Sequence, residues 1–221
     1  MWSLTPEELT AVQLSLRIAL WATIGALPPA LALLARKDFW GKSLVDGIVH
    51  LPLVLPPVVT GYLLLLTFGR RGAVGAFLAD NFGIVFSFRW TGAALACAVM
   101  GFPLFVRAAR LSFEAVDIRL EQAAATLGAN AFWRFVTVTL PLALPGVIAG
   151  AVLCFAKALG EFGATITFVS NIPGETQTIS AAIYTYTQIP GGDGAALRLV
   201  VIAMVIALVA LVFSELLARR A

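Results

Sequence analysis

EAVDIRLEQAAATLGANAFWR, running from Glu114 to Arg134, is a polar island between two long runs that carry no charge. Leu120, Ala123, Ala124 and Leu127 fall at i, i+3, i+4 and i+7, which predicts a short helix with one narrow apolar stripe, while Arg119, Glu121 and Gln122 lie off it. Gly128 ends that helix, because glycine accepts the left-handed conformation after a last turn. Asn130 is an acceptable N-cap for a second helix that leads through Phe132, Phe135 and Val136 into the following apolar run. An alanine stripe is too shallow to bury itself well. Two readings stay open on physics alone: a knob that docks into another protein's groove, or an amphipathic helix lying on lipid headgroups.

The runs on either side decide the fold class. Ile18 to Ala35, Ile48 to Phe68, Trp90 to Val106, Phe135 to Ala156 and Leu199 to Ser214 are each free of Asp, Glu, Lys and Arg. A helix needs about 20 residues to cross the hydrocarbon; the last run is short, and Arg198 and Glu215 are expected to snorkel from its ends. The reading is an all-α polytopic membrane protein, a single transmembrane domain over 1–221, with spans at about 12–35, 46–68, 90–111, 138–160 and 197–218 and a connecting loop at 112–137. Composition agrees: 60% of residues are hydrophobic and 12% charged, and mean hydropathy is +0.95, against about half apolar and a quarter charged in soluble domains. A cleaved leader is disfavoured, since 1–10 carries Glu7 and Glu8 and lacks a basic start.

Cations near the span ends set orientation. Arg36, Lys37, Lys42, Arg107, Arg110, Arg119, Arg134, Arg219 and Arg220 gather on one side, against Arg70, Arg71, Arg89 and Arg198 on the other, which predicts a cytoplasmic C-terminus and an external N-terminus. Arg70 and Arg71 run against that bias. The net charge of +3 is scattered, unlike the clustered basic face of a nucleic-acid binder. Cys97 and Cys154 sit inside apolar runs as small hydrophobes, and no metal spacing exists, so no cofactor is expected. The connections hold no soluble domain, so any enzyme or energy source belongs to another chain.

Within the spans, Pro52, Pro56 and Pro57 remove backbone donors and predict a kinked or broken second span that lines a pathway or simply bends. Pro28, Pro29, Pro103, Pro141 and Pro145 predict bending throughout. His50 reads as a hydrogen-bonded structural group. Lys157 and Glu161, four apart, read as a gate element, a neutralised tie or headgroup snorkelling. Thr165, Thr167, Ser170, Thr176, Thr178, Ser180 and Thr185 supply hydroxyls that either meet an anion or solvate a loop.

The segment from Gln122, Ala123 and Ala124 through Gly128 to Val138, Leu140 and Pro141 resembles the Glu-Ala-Ala loop of ABC importer permeases at every fixed spacing, with Gln122 for the usual Glu and Val138 for Ile. The stretches His50 to Tyr62 and Gly160 to Thr176 resemble the molybdate-transporting branch, and the similarity covers nearly the whole chain. The resemblance implies the type I ABC importer permease fold. It also implies a coupling helix that fits a cleft on a nucleotide-binding subunit, with Glu121, Gln122, Ala123, Ala124, Leu127, Gly128 and Ala129 at the contact. Pro52, Pro56, Pro57, Thr60, Glu161, Phe162, Gly163 and Thr165 are its pathway candidates. The implied partners are a second copy of the chain, two ATP-binding subunits, an external molybdate-binding protein and the inner-membrane lipid, with no nucleic acid. The implied activity is ATP-driven molybdate or tungstate import, the chain itself hydrolysing nothing; sulfate is the alternative substrate. A secondary transporter would carry an internal repeat and intramembrane carboxylates. No repeat is visible, and Glu161 is a single acid.

Overall fold

A computed structural model describes residues 4–34 and 41–218, and among them it is helical with no strand. The expected flanking cations Arg36, Lys37, Arg219 and Arg220, and the run end at Ala35, lie outside the described residues. Helix α1 (Pro6–Leu34) buries Ala11, Leu14, Ile18, Ala22, Ala26 and Ala30, a stripe at the 3.6-residue period. Because most of that stripe is alanine, α1 lies close against α5 (Trp90–Ala115) and α8 (Leu140–Leu159). The α5–α8 pair forms the centre of the molecule. A Cβ on Gly150 would stand 2.6 Å from the Phe105 ring, and such small residues are what let membrane helices approach.

The second apolar run, expected to be kinked or broken, is broken. It forms α2 (Lys42–Val54) and α3 (Pro57–Phe68), bent by 119° at the break. At 13 and 12 residues and 1.5 Å per residue, each is about 20 Å long, short of the roughly 30 Å core. Neighbouring prolines explain the break, since each drives the residue before it out of the α region. Leu55 (ψ 144°) and Pro56 (ψ 136°) are both extended. Elsewhere the general bending expected from proline is absent as a break: α1 continues through Pro28 and Pro29, α5 through Pro103 and α8 through Pro145.

After α3, a tight turn leads into α4 (Ala73–Phe82) and then α5. Beyond α8 come α9 (Gly163–Val169), α10 (Ile179–Thr187) and α11 (Asp193–Ala218). Among its described side chains α11 buries only Ala196 and Leu199, so it is the peripheral helix. Arg198 does not snorkel: its Nη2 lies 2.6 Å from Oε1 of Glu8, which is fully buried. The pair fastens the start of α11 to the start of α1, and the Ser15 hydroxyl fastens α10 there too by accepting from the Ile179 amide at 2.7 Å. Among the described residues, four helical stretches are long and apolar enough to cross a membrane, Pro6–Leu34, Trp90–Ala115, Ala131–Leu159 and Asp193–Phe213, and the bent α2–α3 pair makes a fifth span if counted as one.

Candidate functional site

At the C-terminal end of α5 the polar island forms α6 (Ile118–Thr126) and α7 (Ala131–Arg134). Asp117 caps α6, its carboxylate accepting from the Arg119 amide at 2.9 Å. Gly128 has φ +87°; its amide donates to the Ala125 carbonyl and that of Ala129 to the Ala124 carbonyl, the paired bonds of a Schellman stop. Asn130 caps α7 as its sequence position predicts, accepting from the Trp133 amide at 3.0 Å. A nine-residue helix is marginal alone, so these caps are what hold α6 rigid.

No residue of α6 is buried. Leu120 is half-exposed, Leu127 is 88% exposed, and Ile118, Phe132 and Trp133 are exposed beside them. Gln122, Ala123 and Gly128 are exposed, and Ala124 and Ala129 half-buried. Glu121 turns the other way and accepts from the buried Thr139 hydroxyl at 3.0 Å. Thr139 ends a π-helical turn (Phe135–Thr139) in which the Leu140 amide reaches back to the Phe135 carbonyl. That widened turn sits directly before Pro141, which has no N–H and crowds the preceding carbonyls. Thus α6 is tied at its side to the root of α8.

The two stretches that carried the finer resemblance meet in space. Helix α3 packs along α9. A Cβ on Gly61 would lie 2.5 Å from the Ala164 carbonyl oxygen, and one on Gly163 would lie 2.9 Å from Pro57. Both glycines therefore serve close approach. The contact sets Gly61 against Ala164 and Thr167, and Gly163 against Pro57 and Val58, whereas Pro52 lies beyond the bend in α2, which packs on α5. The Thr60 hydroxyl is buried with no partner. An unpaired buried hydroxyl costs about 1–3 kcal/mol, which marks this position.

Glu161 is 1% exposed and both its oxygens are used. One stands 2.7 Å from Lys157 Nζ, and the other accepts from the Ala164 amide at 2.9 Å, closing the first turn of α9. The structure therefore shows the structural tie, and burial rules out snorkelling for Glu161. Five hydroxyls of the stretch that follows donate to backbone carbonyls. Thr165 donates to the Phe162 carbonyl, Thr167 to that of Gly163, Thr176 to that of Ser170, Ser180 to that of Leu159 and Thr185 to that of Ala181. Protons spent on backbone are not available to an anion. Phe162 stacks at a tilt on Tyr184, 5.1 Å between ring centres.

Three features had no usable sequence signal. Thr139 is separated from Glu121 by 18 positions. Asp46, a bidentate partner of Arg110 with Nη1 at 3.0 Å from Oδ2, ties α2 to α5 over 64 positions. Glu8 and Arg198 are 190 apart. His50 behaves as expected, its Nδ1 lying 2.8 Å from the Asp46 carbonyl.

Long apolar helices around a proline-broken pair, with an exposed capped helix projecting at one end, define a polytopic membrane permease. The family model for the binding-protein-dependent transport system inner membrane component matches residues 27–221, and the chain belongs to that family of multi-pass inner-membrane proteins. It is 58% identical over 219 residues to the molybdenum transport system permease protein ModB of Escherichia coli K12, covering 98% of this chain and 96% of that one. It is 56% identical over 216 residues to the ModB of Haemophilus influenzae, covering 96% and 94%. Among solved structures, a bacterial alginate ABC transporter in complex with an alginate-pentasaccharide-bound periplasmic protein superposes with a TM-score of 0.74 at 19% identity, over 98% of this chain and 80% of that one. That likeness is one of fold.

Proposed function

We propose that this chain is the transmembrane subunit of an ATP-driven molybdate importer. Near full-length identity to two molybdenum permeases is the observation that carries the substrate. Two copies form the pathway at a two-fold interface, two separate nucleotide-hydrolysing subunits bind below, and an external binding protein delivers the oxyanion. The N-terminus is external and the C-terminus cytoplasmic, the side toward which α6 projects.

The exposed set Ile118, Leu120, Leu127, Phe132 and Trp133 supports docking over lipid contact, because it crowns a helix whose polar side is bound back to α8 through Glu121. Docking Leu127 alone contributes about 1.5–3 kcal/mol. When the motor subunits close, α6 moves with them, and its side tie carries the displacement to the root of α8, since packed elements move as bodies. Helix α8 leads into Glu161 and so into α9, which holds α3 through Gly61 and Gly163. The α3 helix, at the break after α2, then borders the pathway. In vesicles holding this chain, the ATPase subunits and the binding protein, labelled molybdate is expected to be taken up with ATP. Uptake that sulfate outcompetes at equal concentration contradicts the substrate assignment, with tungstate the second oxyanion to compare.

A further inference from the structure

At the end of α5 opposite to α6, some 39 Å away along its 26 residues, lies a cavity of about 630 Å³ lined by Arg70, Arg71 and Arg89 together with Ser87 and Phe88. We propose that it is a binding site for a tetrahedral oxyanion, either the free ion or the phosphate of a lipid headgroup.

Its construction is specific. Arg70 and Arg71 occupy a turn between Gly69 and Gly72, closed by the Gly72 amide donating to the Gly69 carbonyl at 2.8 Å. A Cβ on Gly72 would collide with the backbone of Leu66 and Thr67, so α4 folds back sharply and leaves the two arginines at the tip. Phe88 is held at φ +56°, a left-handed conformation that is an outlier for a bulky residue and that places Arg89 at the start of α5. Ser87 is 7% exposed. It accepts from the Arg70 amide at 3.2 Å, and among the described residues its own proton reaches no acceptor. No carboxylate lines the cavity, and among the described residues none of the three guanidinium groups has an ion-pair partner. Arg70, Arg71 and Arg89 are exposed at this groove, and three planar forks with a buried hydroxyl donor match an oxyanion.

The site goes beyond the functional reading and draws on it only for the choice of probe. The test uses the whole chain, wild type and with Arg70→Gln, Arg71→Gln and Arg89→Gln combined, purified in phosphate-free maltoside detergent. One arm measures molybdate binding by equilibrium dialysis, and the other counts retained phosphatidylglycerol by native mass spectrometry. Saturable binding that falls at least tenfold in the variant, in either arm, is the expected result, and the arm that responds names the source. A second variant, Arg→Lys at the three positions, checks folding: it should elute as wild type and keep part of the binding. Equal binding of both probes to wild type and variant overturns the site. So does a loss confined to docking of an external binding protein. Uptake by the intact assembly is scored separately, so a failed binding test alongside normal uptake counts against this site alone.

Discussion

Gly61 is the residue on which the α3–α9 contact turns. Gly61→Ala puts a methyl 2.5 Å from the Ala164 carbonyl, and such overpacking costs about 1–3 kcal/mol. The expected outcome is a lowered melting temperature in detergent together with reduced uptake. Gly47→Ala is the control: nothing lies within 4 Å of its Cβ, and an unchanged or slightly raised melting point is expected there. At the other end, Glu8→Gln leaves Arg198 beside a neutral group in a buried pocket. Removing one partner of a buried pair destabilises by up to about 3–5 kcal/mol, reduced here because Arg198 keeps some solvent contact. Thermal unfolding should show the loss, and adding Arg198→Met should recover part of it. Such pairs are invisible in sequence. Glu8 reads as a leader charge and Arg198 as a snorkelling one, because periodicity speaks of neighbours on one helix and says nothing of residues 190 apart.

At the scale of elements, α6 was legible almost residue by residue. Its stop at Gly128 and the cap at Asn130 follow from local backbone chemistry, and local chemistry is what a sequence records directly. The proline cluster was legible as a break, yet not as a reversal of 119°, since that angle depends on where α9 holds α3. Proline proved a weaker breaker in α1, α5 and α8, whose packing outweighs a single missing hydrogen bond. The hydroxyls from Thr165 to Thr185 allowed two readings in sequence; those of Thr165, Thr167 and Thr185 find the carbonyl one turn back on their own helix. Gly128→Val forces a β-branched residue to φ +87°, at about 1–3 kcal/mol. With α6 misaligned, ATP hydrolysis by the assembled transporter should continue while uptake per ATP falls several-fold. Normal uptake per ATP contradicts transmission from α6 to α8. Leu127→Asp should instead reduce co-purification of the ATPase subunits while the permease elutes normally by size exclusion.

For the molecule as a whole, the chain joins an exposed helix at one end to a broken helix pair by α8, and it carries no enzyme of its own that we assign. On the proposed function, its action is conformational and depends on work done by another protein on α6. The most direct measurement is molybdate accumulation in sealed lipid vesicles containing this chain and the binding protein, with and without the nucleotide-hydrolysing subunits and ATP. Accumulation only when both are present is the predicted result. Accumulation against a gradient in their absence would contradict it.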